Sequence, residues 1–290
     1  MNNFHPKLIL CPVDFSDVAA SALRYATALS AKMDARLLVL YAHQFLPPPH
    51  FTAGQVEAMA KTLAHSKQAA HENLHSYVKE VIGDTRNTEI FVVDDLPVAA
   101  IINTAEARNA DMIVMGTHGH NGINRFLLGS VTERVLRETN RPVLTVHRAE
   151  KASEATAFRL QRILCPVNFT ETAHRALAYA AAVAKAFNAE LLVVHVIEAD
   201  AETNEAARRE RLCQWVPESL RNQCRLKEIA VSGDAPEEIV SIAESTATDL
   251  IVLGARHRRF RDTTVIGSTT MRVARYAPCP VLTVVHKEEE

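Results

Sequence analysis

The chain has 290 residues and nine glycines, and four of those glycines crowd a single segment. It reads Gly116-Thr-His-Gly119-His-Asn-Gly122-Ile-Asn-Arg-Phe-Leu-Leu-Gly129-Ser130, behind an apolar run and ahead of a helical pattern. Glycine lets backbone approach a ligand closely. A helix start adds free N–H groups and a dipole that favours an anion. The chemistry such a segment suits is a phosphate cradle built from Gly116, Gly119, Gly129, the Ser130 hydroxyl and the Val131 and Thr132 amides. The plainer alternative is a helix cap, since Ser130-Val-Thr-Glu133 fits the capping box. A cap is worth about 1 kcal/mol but gives Gly116 and Gly119 no purpose, so the cradle is the better reading.

Other strings weigh less. Asp14, within Pro12-Val13-Asp14-Phe15-Ser16, taken alone reads as a loop carboxylate bonding nearby backbone. His71-Glu72-Asn73-Leu74-His75 matches the zincin signature, but Leu74 and Ala70 should face the core, which leaves the histidines on a flank. A protease also needs a third ligand and a cleft. His118-Gly119-His120 resembles a nucleotidyltransferase motif, yet Thr117 stands where another His is needed. Neither a P-loop, nor a dinucleotide fingerprint, nor a Gly-x-Ser-x-Gly elbow occurs, so those chemistries are disfavoured. Cys11 and Cys165 read as inert core thiols. His43, His147, His195 and His286 fall at or near strand ends, where a structural hydrogen bond is the expectation.

The elements that must position the glycine segment are written twice. Leu8-Ile9-Leu10-Cys11-Pro12-Val13-Asp14-Phe15-Ser16 returns as Arg162-Ile163-Leu164-Cys165-Pro166-Val167-Asn168-Phe169-Thr170, and Asp34 returns as Asn188. Further on, Asp111–Gly116 meets Asp249–Gly254, Gly129-Ser130 meets Gly267-Ser268, and Pro142–Val146 meets Pro280–Val284. Two copies are too few for a solenoid; this is a duplicated domain. In the first copy Leu8–Val13, Leu37–Ala42, Glu89–Val93, Met112–Gly116 and Val143–His147 read as strands. Their near-continuous apolar character suits burial on both faces, hence a parallel sheet. Helical spacings between them complete an open, doubly wound α/β fold whose ligands sit beyond the carboxyl ends of the strands. The expected domains are residues 1–148 and 159–290, with a linker at 149–158. The apolar last strands, Val143–Val146 and Val281–Val285, need cover and should pair within the chain as an internal pseudo-dimer, with a homodimer as a further step.

The full glycine spacing, Gly116-x2-Gly119-x9-Gly129-Ser130, joined to the Asp14 loop, resembles the ATP-binding branch of the universal stress protein family. The resemblance covers both copies, as in a tandem member. It implies two Rossmann-like domains, each with a five-stranded parallel sheet, and ATP, with or without Mg, lying across the strand ends. Carried onto this sequence, Asp14 would contact the adenosine portion and the backbone near Ala42 the adenine edge. Pro12, Val13 and Met115 would line the base pocket. Gly116, His118, Gly119, Gly129, Ser130, Val131 and Thr132 would surround ribose and phosphates. The second copy departs at two places: Asn168 replaces Asp14, and His257 replaces Gly119 within a loop carrying Arg256, Arg258, Arg259 and Arg261. A solvated loop is the expectation there, and the first domain alone should bind ATP well.

The motif supplies a cradle but no evident general base at the γ-phosphate and no acidic pair for Mg. The reading is a regulatory nucleotide-binding module of the stress response. Two others stay open: a slow ATP-hydrolysing enzyme using His118 or His120, and a nucleotide-free chaperone-like module, with another ligand or a metal in the second domain. With 32 Lys+Arg against 34 Asp+Glu, a sequence-independent nucleic-acid partner is not expected. No apolar run is long enough for a bilayer, the start lacks an export pattern, and five unpatterned cysteines suit a reducing cytoplasm.

Overall fold

The computed structural model describes residues 4–44, 53–118, 128–147, 159–197, 205–260 and 263–287. The first half runs β1 (Leu8–Pro12), α1 (Asp17–Met33), β2 (Arg36–His43), α2 (Ala53–Ile82), β3 (Thr88–Asp94), α3 (Pro97–Ala107), β4 (Met112–Gly116), α4 (Ser130–Glu138) and β5 (Val143–Val146). The second runs β6 (Arg162–Pro166), α5 (Glu171–Phe187), β7 (Glu190–Ile197), α6 (Glu205–Trp215), α7 (Glu218–Arg221) and β8 (Arg225–Ser232). It continues through α8 (Ala235–Ser245), β9 (Leu250–Phe260), β10 (Thr263–Ile266), α9 (Ser268–Tyr276) and β11 (Val281–Lys287). The expected linker, 149–158, lies outside the described residues.

Local chemistry explains why the two copies fold alike. Ser16 and Thr170 each cap the helix that follows, accepting from the amides of Ala19 and Ala173. Asp34 and Asn188 end those helices in the left-handed region, at φ 50° and 53°, a conformation Asp and Asn tolerate better than most residues. Just ahead of β4, Asp111 Oδ2 accepts from the amides of Lys7 (2.6 Å) and Leu8 (2.9 Å). Asp249 does the same for Gln161 (2.6 Å) and Arg162 (2.9 Å). One carboxylate thus fastens the start of the first strand to the fourth in each half.

The strands form one sheet in the order β3-β2-β1-β4-β5-β11-β9-β6-β7-β8, with β10 paired to β9. Within each half the pairings are parallel apart from β10, which runs antiparallel to β9, and β1 and β4 flank the point where the winding reverses. In an open α/β sheet that point is where a ligand crevice opens. Alternate side chains serve opposite faces: Ile9, Cys11, Leu37 and Val39 pack in one cluster with residues of α1 and α2, whereas Leu10, Leu38, Ile113 and Met115 pack with residues of α3 and α4. The halves join where β5 meets β11 antiparallel, Leu144 opposite Leu282. This is the internal pairing the apolar last strands called for. Phe4 stacks on Tyr179 of the other half at 3.7 Å.

One expectation is corrected. Residues 254–260 and 263–266 of the second half are strand rather than a solvated loop. β9 carries Arg256, Arg258 and Arg259 onward to Phe260, and β10 returns with Ile266 opposite His257. β11 keeps pace with β9 as far as His257. The β-branched run Thr263-Thr264-Val265-Ile266 supplies the strand propensity; Arg261 lies outside the described residues. Among the described residues no helix is long and apolar enough to cross a membrane.

Candidate functional site

The β1–α1 turn is built by its own side chains. Val13 prolongs the β1–β2 ladder through its amide to Leu40 O (2.9 Å). Phe15 then adopts φ 64°, a costly conformation for a bulky residue. Its ring is held by Tyr41 and Tyr77, at centroid distances of 4.7 and 5.1 Å. Asp14 Oδ1 accepts from the Ser16 amide (3.1 Å) and hydroxyl (2.6 Å). The turn therefore satisfies part of Asp14 locally while leaving the residue exposed.

The β4–α4 side requires two corrections. Gly116 is explained by packing: a Cβ there would lie 2.8 Å from Val18 Cγ1. Gly254 sits in the same way, 2.7 Å from Thr172 O. The fourth strand of each half approaches the first turn of the helix that follows the first strand, α1 or α5, so closely that a side chain is crowded there, and Gly116 needs no phosphate to justify it. The signal was available, because the glycine recurs in the copy whose motif is broken. The capping box, for its part, does not form. Gly129 is the N-cap and brings no side chain to cap with. Ser130 is the first helical residue, exposed, and Glu133 pairs with Arg137 at 2.6 Å. Neither Gly129 nor Glu133 thus caps the opening amides of α4 with a side chain. Thr132 donates its hydroxyl to Gly116 O (2.8 Å), and the Gly129 amide donates to Thr117 O (2.6 Å); together these lock the helix start to the strand end. His118 Nδ1 lies 3.0 Å from Thr117 Oγ1.

These two turns face one cleft of about 580 Å³ at the carboxyl ends of β1 and β4. Pro12, Val13, Asp14, Ala42, Met115, Gly116, His118, Gly129, Ser130, Val131 and Thr132 all line it. Gly119 and His120 lie outside the described residues. Sequence reasoning missed Ala19, Leu40, Tyr41, Leu128 and, most usefully, Pro97 and Ile101 of α3, which form the opposite wall. A proline at the start of a helix that follows a parallel strand was the available clue. The lining is apolar apart from a few placed polar groups, and its size is typical of small-ligand sites.

The second half keeps the turn and changes the mouth. Asn168 Oδ1 accepts from the Thr170 hydroxyl at 2.7 Å, and Phe169 repeats the positive φ at 60°. Phe169 packs against His195 and Trp215 with the Arg211 guanidinium 4.4 Å from its centroid. Between α8 and α9, Arg272 reaches Asp234 and Glu237, each at 3.1 Å. In the first half the matching arginine, Arg134, turns instead to Glu138 of its own helix at 3.0 Å.

Elsewhere, His71 and His75 are exposed on α2 beside buried Ala70 and Leu74. Burial pushes the Cys11 and Cys165 thiols up and Cys279 up to about 12. A raised thiol is a poor nucleophile and a poor metal ligand.

Fold and cleft together define a class: a tandem, doubly wound α/β protein with a small-ligand crevice at the switch point of its first half. A family model described as the universal stress protein family matches residues 6–147 and again 159–285. A universal stress protein of Methanocaldococcus jannaschii is 33% identical over 150 residues, covering 51% of this chain and 86% of that protein. One from Mycolicibacterium smegmatis is 25% identical over 296 residues, covering 95% of this chain and 96% of that protein. The crystal structure of a universal stress protein from Archaeoglobus fulgidus shares the fold, with TM-score 0.68 at 23% identity over 97% of this chain and 98% of that one. The chain belongs to the universal stress protein family, with two such domains in tandem.

Proposed function

We propose that the first half binds ATP and acts as a nucleotide-dependent regulatory module of the stress response, while the second half binds ATP weakly or not at all. The observation that carries this reading is convergence. The uncapped start of α4 and the Asp14 turn face each other across one cleft at the switch point. The opening amides of α4 and the Ser130 hydroxyl suit phosphate oxygens. Asp14, an acceptor when ionised, suits sugar hydroxyls at the other end. Between them Pro12, Val13, Met115 and Ile101 offer apolar walls to a base, with the backbone at Ala42 reading its edge. One carboxylate is no cage for Mg²⁺, which would arrive with the phosphates.

Among the described residues the lining supplies Asp14, Tyr41 and His118 as titratable side chains and no pair of carboxylates, so binding rather than turnover is the reading. Any slow hydrolysis would fall to His118, at the phosphate end. The five cysteines are free thiols, which suits work in the cytoplasm. The test is titration of ATP into the intact chain and into Ser130→Asp. Asp at the first helical position favours the helix through its dipole but repels phosphate. Affinity should fall at least about tenfold (~1.4 kcal/mol) with melting temperature kept. Unchanged affinity would overturn the assignment of the phosphate end.

A further inference from the structure

His43, Ser66 and Asp94 belong to no motif, yet three elements bring them into line. His43 closes β2, Asp94 closes β3, and the two residues are register partners across the strands. Ser66 stands on α2. Its Oγ lies 3.1 Å from His43 Nε2. His43 Nδ1 lies 3.0 Å from Asp94 Oδ1, and Lys67 Nζ lies 2.7 Å from Asp94 Oδ2.

The carboxylate decides where the protons are. The hydrogen bond from Lys67 holds the Asp94 carboxyl below the usual aspartate range, so Asp94 accepts and does not donate. In the neutral ring His43 Nδ1 must then carry the hydrogen, which leaves Nε2 as a lone pair. The Ser66 hydroxyl donates into that lone pair. A nucleophile, its base, and a carboxylate that fixes the base's tautomer are therefore in the order that activates a serine. The imidazole is largely buried, with 14% of its side chain exposed, and Ser66 is half-buried. A tie between α2 and the strand ends needs no more than the Lys67–Asp94 pair; it does not call for a base nitrogen set on a hydroxyl.

We propose that Ser66 is a base-activated nucleophile that takes an acyl group from small carboxylic esters, with His43 as the base and Asp94 as the residue that positions it. Ser66 Oγ bonds to the ester carbonyl carbon, and its proton passes to His43 Nε2. The bond from that carbon to the alcohol oxygen then breaks, and the alcohol leaves with the proton from His43. Water, deprotonated by the same nitrogen, later releases the acid. The backbone amides around Ser66 are spent inside α2, so they cannot stabilise the oxyanion that forms in each step. Acylation should therefore exceed deacylation, giving one equivalent of acyl-serine followed by slow release.

The experiment adds p-nitrophenyl acetate to the full chain, follows nitrophenolate release and maps the acetyl group by mass spectrometry. The expected result is a burst approaching one equivalent per chain, with acetyl on the peptide carrying Ser66. Ser66→Ala removes that burst, and alanine suits a helix, so melting should hold. His43→Gln should slow the burst at least about 100-fold. Asp94→Asn should slow it less, whereas Lys67→Met, which breaks the tie and keeps the carboxylate on His43, should leave most of it, a pattern that loss of a structural tie would not produce. Acetylation of lysines alone, or a burst unchanged in folded Ser66→Ala, overturns the proposal.

Discussion

The two halves share a fold down to their helix caps and differ where a ligand would sit. In the first, β4 ends at Gly116 and α4 begins on Gly129, which brings no side-chain cap, facing an open crevice. In the second, the equivalent strand runs on and folds back as β10, and Arg272 straps α8 to α9. The hairpin is not idle. β10 runs beside α4 of the first half, and Ala255 and Ala274 pack into the cluster that holds Leu128, Met115 and Val131. Those three also line the cleft. One copy keeps the crevice while the other supports the helix that forms its wall.

The largest expected effect separates packing from ligand binding. Gly254→Ala drives a methyl onto backbone, 2.7 Å from Thr172 O, and should cost about 3 kcal/mol in a denaturant titration, the upper end of overpacking. Gly116→Ala meets the Val18 side chain instead and should cost about 1–2 kcal/mol. Adding Val18→Ala should then make the double variant more stable than the single changes sum to. Additivity there would show that Gly116 answers to something other than Val18.

Next in size is Asp14→Asn. Asn168 shows that an amide supports this turn, so melting should stay within about 0.5 kcal/mol of the parent. ATP affinity should drop about tenfold, because a hydrogen bond to a charged group exceeds one to a neutral group by roughly 1 kcal/mol or more. The converse change, Asn168→Asp, should leave ATP stoichiometry where it was, since the hairpin remains. A second equivalent bound by that variant would mean that one missing charge is all that disables the second half. The smallest effect belongs to Arg272→Met. The arginine side chain is 43% exposed, and surface pairs of this kind are worth about 0–1 kcal/mol.

Much of this architecture was legible in the sequence because the physics is local. Apolar runs gave the strands and helical spacings the helices between them, while Ser16 and Thr170, like Asp34 and Asn188, showed in the sequence as matched positions of the two copies. The phosphate-side residues were legible through their spacing around Gly129-Ser130, and Pro12, Val13, Asp14, Ala42, Met115 and His118 through the family resemblance that this spacing carries. What stayed hidden depends on contacts between distant residues. Gly116 is required by Val18, Pro97 and Ile101 reach the cleft only once α3 docks, and Ser66 finds His43 and Asp94 only across the folded sheet. The hairpin is an intermediate case. Thr263-Thr264-Val265-Ile266 carried strand propensity, but comparison with the glycine loop of the first copy suggested a loop.

The most direct test of the central claim, that one half holds ATP and the other does not, is a count. Chain saturated with ATP, freed of excess and denatured should release one nucleotide per chain. None, or two, would contradict the account.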